Sequence, residues 1–129
     1  MKILVVTEND DCCGPMAARF LNDFSEKVEA FSAGVSPAVE VGQNVVELMH
    51  ECFCDLSDYR PVEFQPTMLD GTSCVVIIGQ LDFDASTCMT MRLELPKQLA
   101  GARTPNDMRA LRDYVKNETF VILRSLLKH

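Results

Sequence analysis

The chain has 129 residues, of which 47% are hydrophobic and 24% charged, and its formal net charge is −7. That length predicts one domain, residues 1–129, with a sizeable buried core. The acidic balance argues against binding to nucleic acid or to an anionic membrane surface, and the first apolar run ends at Thr7, too early for a secretory signal or a membrane span, so we expect a cytoplasmic protein.

Short aliphatic runs alternate along the chain with segments of helical periodicity. Pro15 opens the first helix, because proline at the first helical position lacks only an N–H that would be unpaired anyway. In chain order, the predicted elements are a strand over 3–6, a helix over 15–28, a strand over 29–33, a helix over 38–52, a short helix over 62–69, a strand over 74–78, a short helix opening near 82–86, a strand over 91–95 and a helix over 105–128.

This alternation predicts an α/β fold, a three-layer doubly wound sheet of about four parallel strands with helices on both faces. The connections between strands should be right-handed. In such a fold, ligands bind in a crevice at the carboxyl ends of the strands. The loop after the first strand, Gly34 after the second strand and Gly79 after the third should therefore border the crevice.

The loop between the first strand and the first helix has an unexpected charge. A strand, a tight loop and a helix N-terminus usually bind an anion, because unpaired N–H groups and the helix dipole point at one spot. Here the loop carries Glu8, Asp10 and Asp11. Each carboxylate about 6 Å from a bound anion would cost about 3 kcal/mol per unit of the anion's charge at an effective dielectric near 20. We therefore expect no tight binding of phosphate here.

The acidic residues of this loop have two other interpretations. Asp10 and Asp11 could cap the first helix and complement its dipole. Alternatively, Glu8, Asp10 and Asp11 could supply oxygen ligands to a cation or bind a basic partner. Their spacing matches no established calcium loop, and no metal or other cofactor is expected.

Four short motifs occur in an order that is shared with one family. They are Pro15-Met16-Ala17, Ser32-Ala33-Gly34, the run Asp-Leu-Ser-Asp-Tyr-Arg over 55–60, and the apolar strand over 74–78. Over almost its whole length, the chain resembles the low-molecular-weight protein tyrosine phosphatases and the arsenate reductases that share their fold. In that family a cysteine thiolate attacks phosphorus, an arginine and backbone N–H groups bind the oxygens, and an Asp-Pro aspartate protonates the leaving group.

The three catalytic groups of that family have no counterparts here. Counting back from Pro15 without a gap places Thr7 at the nucleophile position and Cys13 at the arginine position, and one inserted residue would place Val6 at the nucleophile position. The dipeptide Asp-Pro does not occur, and the corresponding loop offers Thr104-Pro105. The resemblance therefore implies a catalytically inactive member that binds an unknown protein or small ligand. The expected crevice residues are Thr7, Glu8, Asn9, Asp10, Asp11, Cys12, Cys13, Ser32, Gly34 and Gly79.

The cysteines leave alternatives open. Cys13 and Arg19 satisfy the spacing Cys-x5-Arg, so a phosphatase or arsenate reductase could use Cys12 or Cys13 in a shifted loop. Cys12 and Cys13 could also have a redox role, with Cys88 as a third thiol. A zinc site around Cys52 is disfavoured, because zinc needs four well-placed ligands.

Overall fold

The computed structural model describes residues 1–85 and 88–128. Within them, the strands are β1 (Lys2–Thr7), β2 (Glu29–Gly34), β3 (Cys74–Ile78) and β4 (Met89–Leu93). The helices are α1 (Cys13–Phe24), α2 (Gln43–His50), α3 (Lys97–Ala100) and α4 (Pro105–Leu127), and a 3₁₀ turn covers Pro66–Leu69. In the part of the chain so described, no helix combines the length and the apolar character needed to cross a membrane.

The four strands form one parallel sheet in the order β2-β1-β3-β4. Its register pairs Val5 of the central strand β1 with Ser32 on one side and Val76 on the other. Every residue of β3 is buried, as expected of a parallel strand that is covered on both faces. The predicted α/β fold with about four parallel strands is confirmed.

The two faces of the sheet are covered differently. Side chains alternate between the faces along each strand. Ile3 and Val5 pack with α1, α2 and α4 in the larger cluster, whereas Leu4 and Val6 face the other side. That second face is covered by the 3₁₀ turn, by residues 81–85 and by Cys88 instead of a long helix. The sheet is therefore covered by helices on one face and by a short turn and loop segments on the other.

Helix α2 begins five residues later than predicted, at Gln43 instead of residue 38. The amides just before it are used elsewhere: those of Val35 and Ser36 donate to the loop carbonyls after β1 at 3.1 and 2.7 Å, and that of Ala38 donates to Asn9 at 2.9 Å. The prediction of helix over 38–42 was wrong: α2 begins only after Gly42, and the amide of Ala38 is bonded to the candidate site loop.

Several other elements differ from the predicted ones. Helix α1 ends at Phe24 instead of residue 28, β4 starts two residues early, and the short helix α3 lies between β4 and α4, where no element was predicted. On α4, Phe120 is 47% exposed and packs edge-on against Phe24 with ring centroids 5.5 Å apart. Residues 81–85 are irregular instead of helical, and the rest of that predicted helix, including Ser86, lies outside the described residues.

Replacing Phe53 with glycine should raise the free energy of unfolding by about 1 kcal/mol, because a left-handed backbone costs about 1–2 kcal/mol when a Cβ is present. Phe53 has φ +61° and is 95% exposed, and it follows α2 where glycine usually ends a helix. Urea denaturation measures the gain. Phe53→Ala keeps the Cβ and should show little of it; equal stabilisation in both variants would contradict this explanation.

Candidate functional site

The loop over residues 7–14 lies at the carboxyl end of β1 and folds tightly against β2. Asp10, at its centre, has a left-handed backbone with φ +53°. Its amide donates to Oγ of Thr7 at 3.0 Å. Gly34 at the end of β2 lies directly against this loop, since a Cβ added there would come within 3.0 Å of the Asp10 nitrogen. The loop is therefore closed on itself, and its central N–H is already bonded.

The carboxylate of Asp10 connects the loop to two distant segments. The side chain is fully buried, at 0% exposure. Its Oδ2 accepts hydrogen bonds from the hydroxyl of Tyr59 and, at 2.8 Å, from the amide of Val62. The Tyr59 hydroxyl also lies 2.8 Å from Oγ of Ser32 on β2. Asp10 therefore joins the loop, the sheet and the segment over 59–62.

The second carboxylate oxygen of Asp10 has no hydrogen-bond partner among the described residues. It lies near Gly14, 3.1 Å from the position that a Cβ would take there. Burial raises the pKa of the Asp10 carboxyl, while the hydrogen bonds from Tyr59 and Val62 act in the opposite direction. A buried acid with one unpaired oxygen thus lies at the centre of the loop.

Cys12 and Cys13 lie side by side where α1 begins. Cys12 is the N-cap residue, Cys13 is the first helical residue, and both are half-buried. A hydrogen bond from the Cys13 thiol lowers the pKa of Cys12, against the opposing effects of burial and of Asp11. The same bond, together with burial, raises the pKa of Cys13. Cys12 is the more acidic thiol of the pair, and β1 itself ends on a hydroxyl, that of Thr7.

Arg19 does not face the loop. It lies on α1, and its Nε is 3.3 Å from a carboxylate oxygen of Asp23, one turn farther from the helix N-terminus. The side chains of both residues are partly exposed, at 39% and 45%. The pattern Cys13-x5-Arg19 therefore spans a helix surface instead of surrounding one bound anion.

The remaining predicted residues fall into different positions. Glu8 and Asn9 are exposed on the outside of the loop, and the Asn9 amide donates to the Ser36 carbonyl at 2.8 Å. Ser32 is buried beneath the loop, and its Oγ is hydrogen-bonded to the hydroxyl of Tyr59. Gly79 ends β3 with φ +90°, at the same edge of the sheet.

Two of the alternatives are not supported by this geometry. Asp10 turns inward and Glu8 outward, and no group of three or more possible metal ligands occurs in the described ranges 1–85 and 88–128. Cys88 precedes β4, with its sulfur 3.7 Å from the Thr72 carbonyl, so it lies at the amino end of the strands. It is therefore on the opposite edge of the sheet from the pair Cys12 and Cys13.

Sequence reasoning missed the partners of Asp10. Tyr59 was not among the expected crevice residues, yet it is half-buried and its hydroxyl donates to Asp10 across 49 positions of the chain. The motif over 55–60 marked this segment as part of the family pattern. Nothing in its local sequence indicated which residue it would bond.

A groove of about 450 Å³ opens next to these partners, between α1, β2 and the segment over 55–68. Its lining is mainly apolar, with a few polar side chains, and its size is in the range of small-molecule sites. Its lining residues include Pro15, Arg19, Phe31, Ser32, Tyr59 and Met68. The groove and the loop therefore share Ser32 and Tyr59 as a common wall.

Comparisons with known proteins give the fold. No protein-family model matches the sequence, and no curated protein matches it. Among solved structures, the chain is similar to an arsenate reductase from Archaeoglobus fulgidus, with 20% identity, a TM-score of 0.78 and coverage of 94% of this chain and 98% of that one. It is also similar to Vibrio vulnificus Wzb in complex with benzylphosphonate (14%, TM-score 0.81, coverage 96% and 97%) and to the YwlE arginine phosphatase from Geobacillus stearothermophilus (20%, 0.75, coverage 98% and 93%).

Proposed function

We propose that this chain is a catalytically inactive protein with the low-molecular-weight phosphatase and arsenate reductase fold, and that it binds a protein or small ligand at the carboxyl edge of its sheet in the cytoplasm. One observation carries the proposal: the loop after β1 is occupied by the buried carboxylate of Asp10, bonded to Tyr59 and Val62. The adjacent groove supports a binding role, because it offers a mainly apolar surface beside that network.

The side chains at the loop after β1 are poorly suited to catalyse phosphoryl transfer. The Thr7 hydroxyl is a weak nucleophile, and its oxygen accepts a hydrogen bond from the Asp10 amide, which would otherwise be free to bind an anion. The acid expected in an Asp-Pro loop is replaced by Thr104, whose side chain caps α4 by accepting from the Asp107 amide at 3.1 Å. Nucleophile, anion clamp and proton donor are all replaced by residues with structural partners.

An active cysteine-dependent phosphatase or arsenate reductase is the second candidate. The lowered pKa of Cys12 at a helix N-terminus favours it, because such thiols are more nucleophilic at neutral pH. This chemistry also requires an arginine that binds the same anion as the cysteine, but Arg19 bonds Asp23 instead. The two candidates make opposite predictions about turnover.

Wild-type protein should hydrolyse p-nitrophenyl phosphate, and reduce arsenate with dithiothreitol, no faster than buffer. Cys12→Ser and Cys13→Ser should behave identically to the wild type, because neither thiol acts as a nucleophile in turnover. An active enzyme of the same fold is the positive control for both assays. Turnover above background that disappears in either variant would establish the second candidate and overturn the first.

A further inference from the structure

The two outer strands of the sheet differ in how their free edges are covered. On β2, the side-chain amide of Asn22 accepts from the Ala30 amide at 2.8 Å and donates to the Ala30 carbonyl at 2.9 Å. Farther along β2, the Gly34 amide donates to the Val62 carbonyl at 2.8 Å, and the Gly34 carbonyl accepts from the Phe64 amide at 2.9 Å. This edge is therefore closed to a further strand over most of its length.

The outer edge of β4 has no such cover. In a parallel sheet, alternate residues of a strand direct their N–H and C=O groups to the same neighbouring strand. The Gly79 amide donates to the Leu93 carbonyl at 3.2 Å, so Leu93 and every second residue before it bond β3. The backbone groups of Thr90 and Arg92 point out of the sheet, and among residues 1–85 and 88–128 none bonds them. We call these two donors and two acceptors the β4 edge.

The β4 edge is bounded at both ends by groups that already have partners. The Cys88 carbonyl accepts from the Thr90 hydroxyl at 3.3 Å. At the other end, the Glu94 carbonyl accepts from the Tyr114 hydroxyl at 2.7 Å. The open stretch therefore suits a short extended segment instead of a long strand.

A groove of about 470 Å³ adjoins the β4 edge on the face of the sheet that α4 covers. It is lined by Met1, Met89, Met91 and Leu126, and it reaches Thr90. Met1 and Met89 are 47% and 57% exposed, and methionine adapts to apolar groups of different shapes. Since side chains alternate between the faces of a strand, every second side chain of an added strand would lie against this groove.

The opposite face beside the β4 edge is acidic. The segment over 81–94 holds three exposed carboxylates and one exposed guanidinium, a net charge of −2. They are Asp82, Asp84, Glu94 and Arg92. Nη1 of Arg92 donates to the Leu81 carbonyl at 3.0 Å, which places the loop over 81–85 next to the edge. Basic side chains complement this face, whereas a second copy of the chain would bring another net charge of −7 against it.

We propose that the β4 edge binds an extended segment of another protein in which apolar side chains alternate with basic ones. The backbone of that segment bonds Thr90 and Arg92 and extends the sheet by one strand. Its apolar side chains fill the groove beside Met89 and Met91, and its basic side chains face the carboxylates. This surface is separate from the loop after β1, and binding there does not depend on whether that loop is catalytically active.

A hexapeptide of alternating lysine and valine, acetylated and amidated at its ends, is the probe. Amide hydrogen exchange of the wild-type protein, followed by NMR, should be fast at Thr90 and Arg92 in the free protein. It should slow by about tenfold when the peptide is present at about ten times its Kd. Exchange at Ala30 and Gly34 should not change, because these amides already have partners. Added salt should weaken binding, and a peptide of alternating glutamate and valine should bind at least about tenfold more weakly.

Two backbone-methylated forms of the peptide test the main-chain bonds. One form carries a methyl group on every lysine nitrogen and the other on every valine nitrogen. In an added strand, only every second N–H faces β4. One form should therefore lose binding and the other should keep it, and the form that fails gives the direction of the added strand. Equal affinity of the two forms, whether kept or lost, would overturn the proposal.

Thr90→Pro removes an N–H that the ladder to β3 does not use, and should weaken peptide binding by about tenfold or more. Thr90→Val keeps that N–H and loses the same hydroxyl, so it is the matched control and should bind as the wild type does. The exchange experiment uses wild-type protein, so it decides the question even if the proline variant folds poorly. Three results would overturn the proposal: unprotected Thr90 and Arg92 amides at saturating peptide, equally tight binding of the glutamate peptide, or a dimer in which these amides are protected without peptide.

Discussion

Replacing Asp10 with alanine should lower the free energy of unfolding by about 3 kcal/mol, because each buried donor left without a partner costs about 1–3 kcal/mol. The change removes the acceptor of the Tyr59 hydroxyl and of the Val62 amide together. Urea denaturation followed by circular dichroism measures the loss. A change below about 1 kcal/mol would mean that water replaces the carboxylate without cost.

Asp10→Asn is the matched control for this variant. The amide oxygen of asparagine can accept from Tyr59 and Val62, and its NH₂ group replaces the oxygen that has no partner. No charge is then buried at the loop centre. We expect unfolding free energy at neutral pH to be unchanged or higher than in the wild type. A loss as large as that of the alanine variant would show that the charge itself is needed.

The difference in unfolding free energy between the wild type and Asp10→Asn should depend on pH with a definite sign. Burial raises the pKa of Asp10 above its ordinary value of 3.8, so the folded protein holds this proton more tightly than the unfolded chain. The contribution of the Asp10 carboxyl to the free energy of unfolding therefore falls as pH rises from 3.8 through its folded pKa. Acidification restores this contribution. Lowering the pH should stabilise the wild type relative to Asp10→Asn. A difference that is independent of pH would contradict the raised pKa.

Glu51 affects the pH dependence of stability in the opposite direction, but its contribution cancels when the wild type is compared with Asp10→Asn. Hydrogen bonds from Arg109, then Arg112, lower the pKa of Glu51 to about 2. The stability it contributes is lost as pH falls from its ordinary value of 4.5 through about 2. Both Asp10 forms retain this cluster, so only the difference between them reports on the loop.

Gly34→Ala should cost about 2 kcal/mol of unfolding free energy, in the range of about 1–3 kcal/mol found for overpacked sites. The added Cβ would lie 3.0 Å from the Asn9 carbonyl carbon and 3.0 Å from both the nitrogen and the Cβ of Asp10. Two of these are backbone atoms, so relief requires the loop to move away from β2. Thermal and urea denaturation should both show the loss.

Gly101→Ala is the control for this substitution. A Cβ at Gly101 meets nothing within 4 Å, and its φ is −107°. Its stability should change little. If Gly34→Ala were equally harmless, the loop would not pack tightly against β2 at Gly34. The description of the loop as closed would then be wrong.

The fold was predictable from the sequence because each element carries its own local pattern. The strand over 74–78 is a continuous apolar run, and Pro15 marks a helix start. The start of α2 was not predictable, because the amides of Ser36 and Ala38 bond carbonyls of the loop after β1, which the local sequence does not indicate. The site was predictable only as a set of positions, because the bonds of Asp10 to Tyr59 and Val62 cross 49 and 52 positions of the chain.

The strand order has a consequence for synthesis of the chain. β1 pairs with β2 early, but its other neighbour is β3, where Ile3 meets Cys74. Pairings between such distant segments form slowly, because a long loop must close first. While the ribosome is still translating the middle of the chain, β1 therefore presents an open apolar edge, and we expect nascent protein to depend on protection from aggregation until β3 emerges.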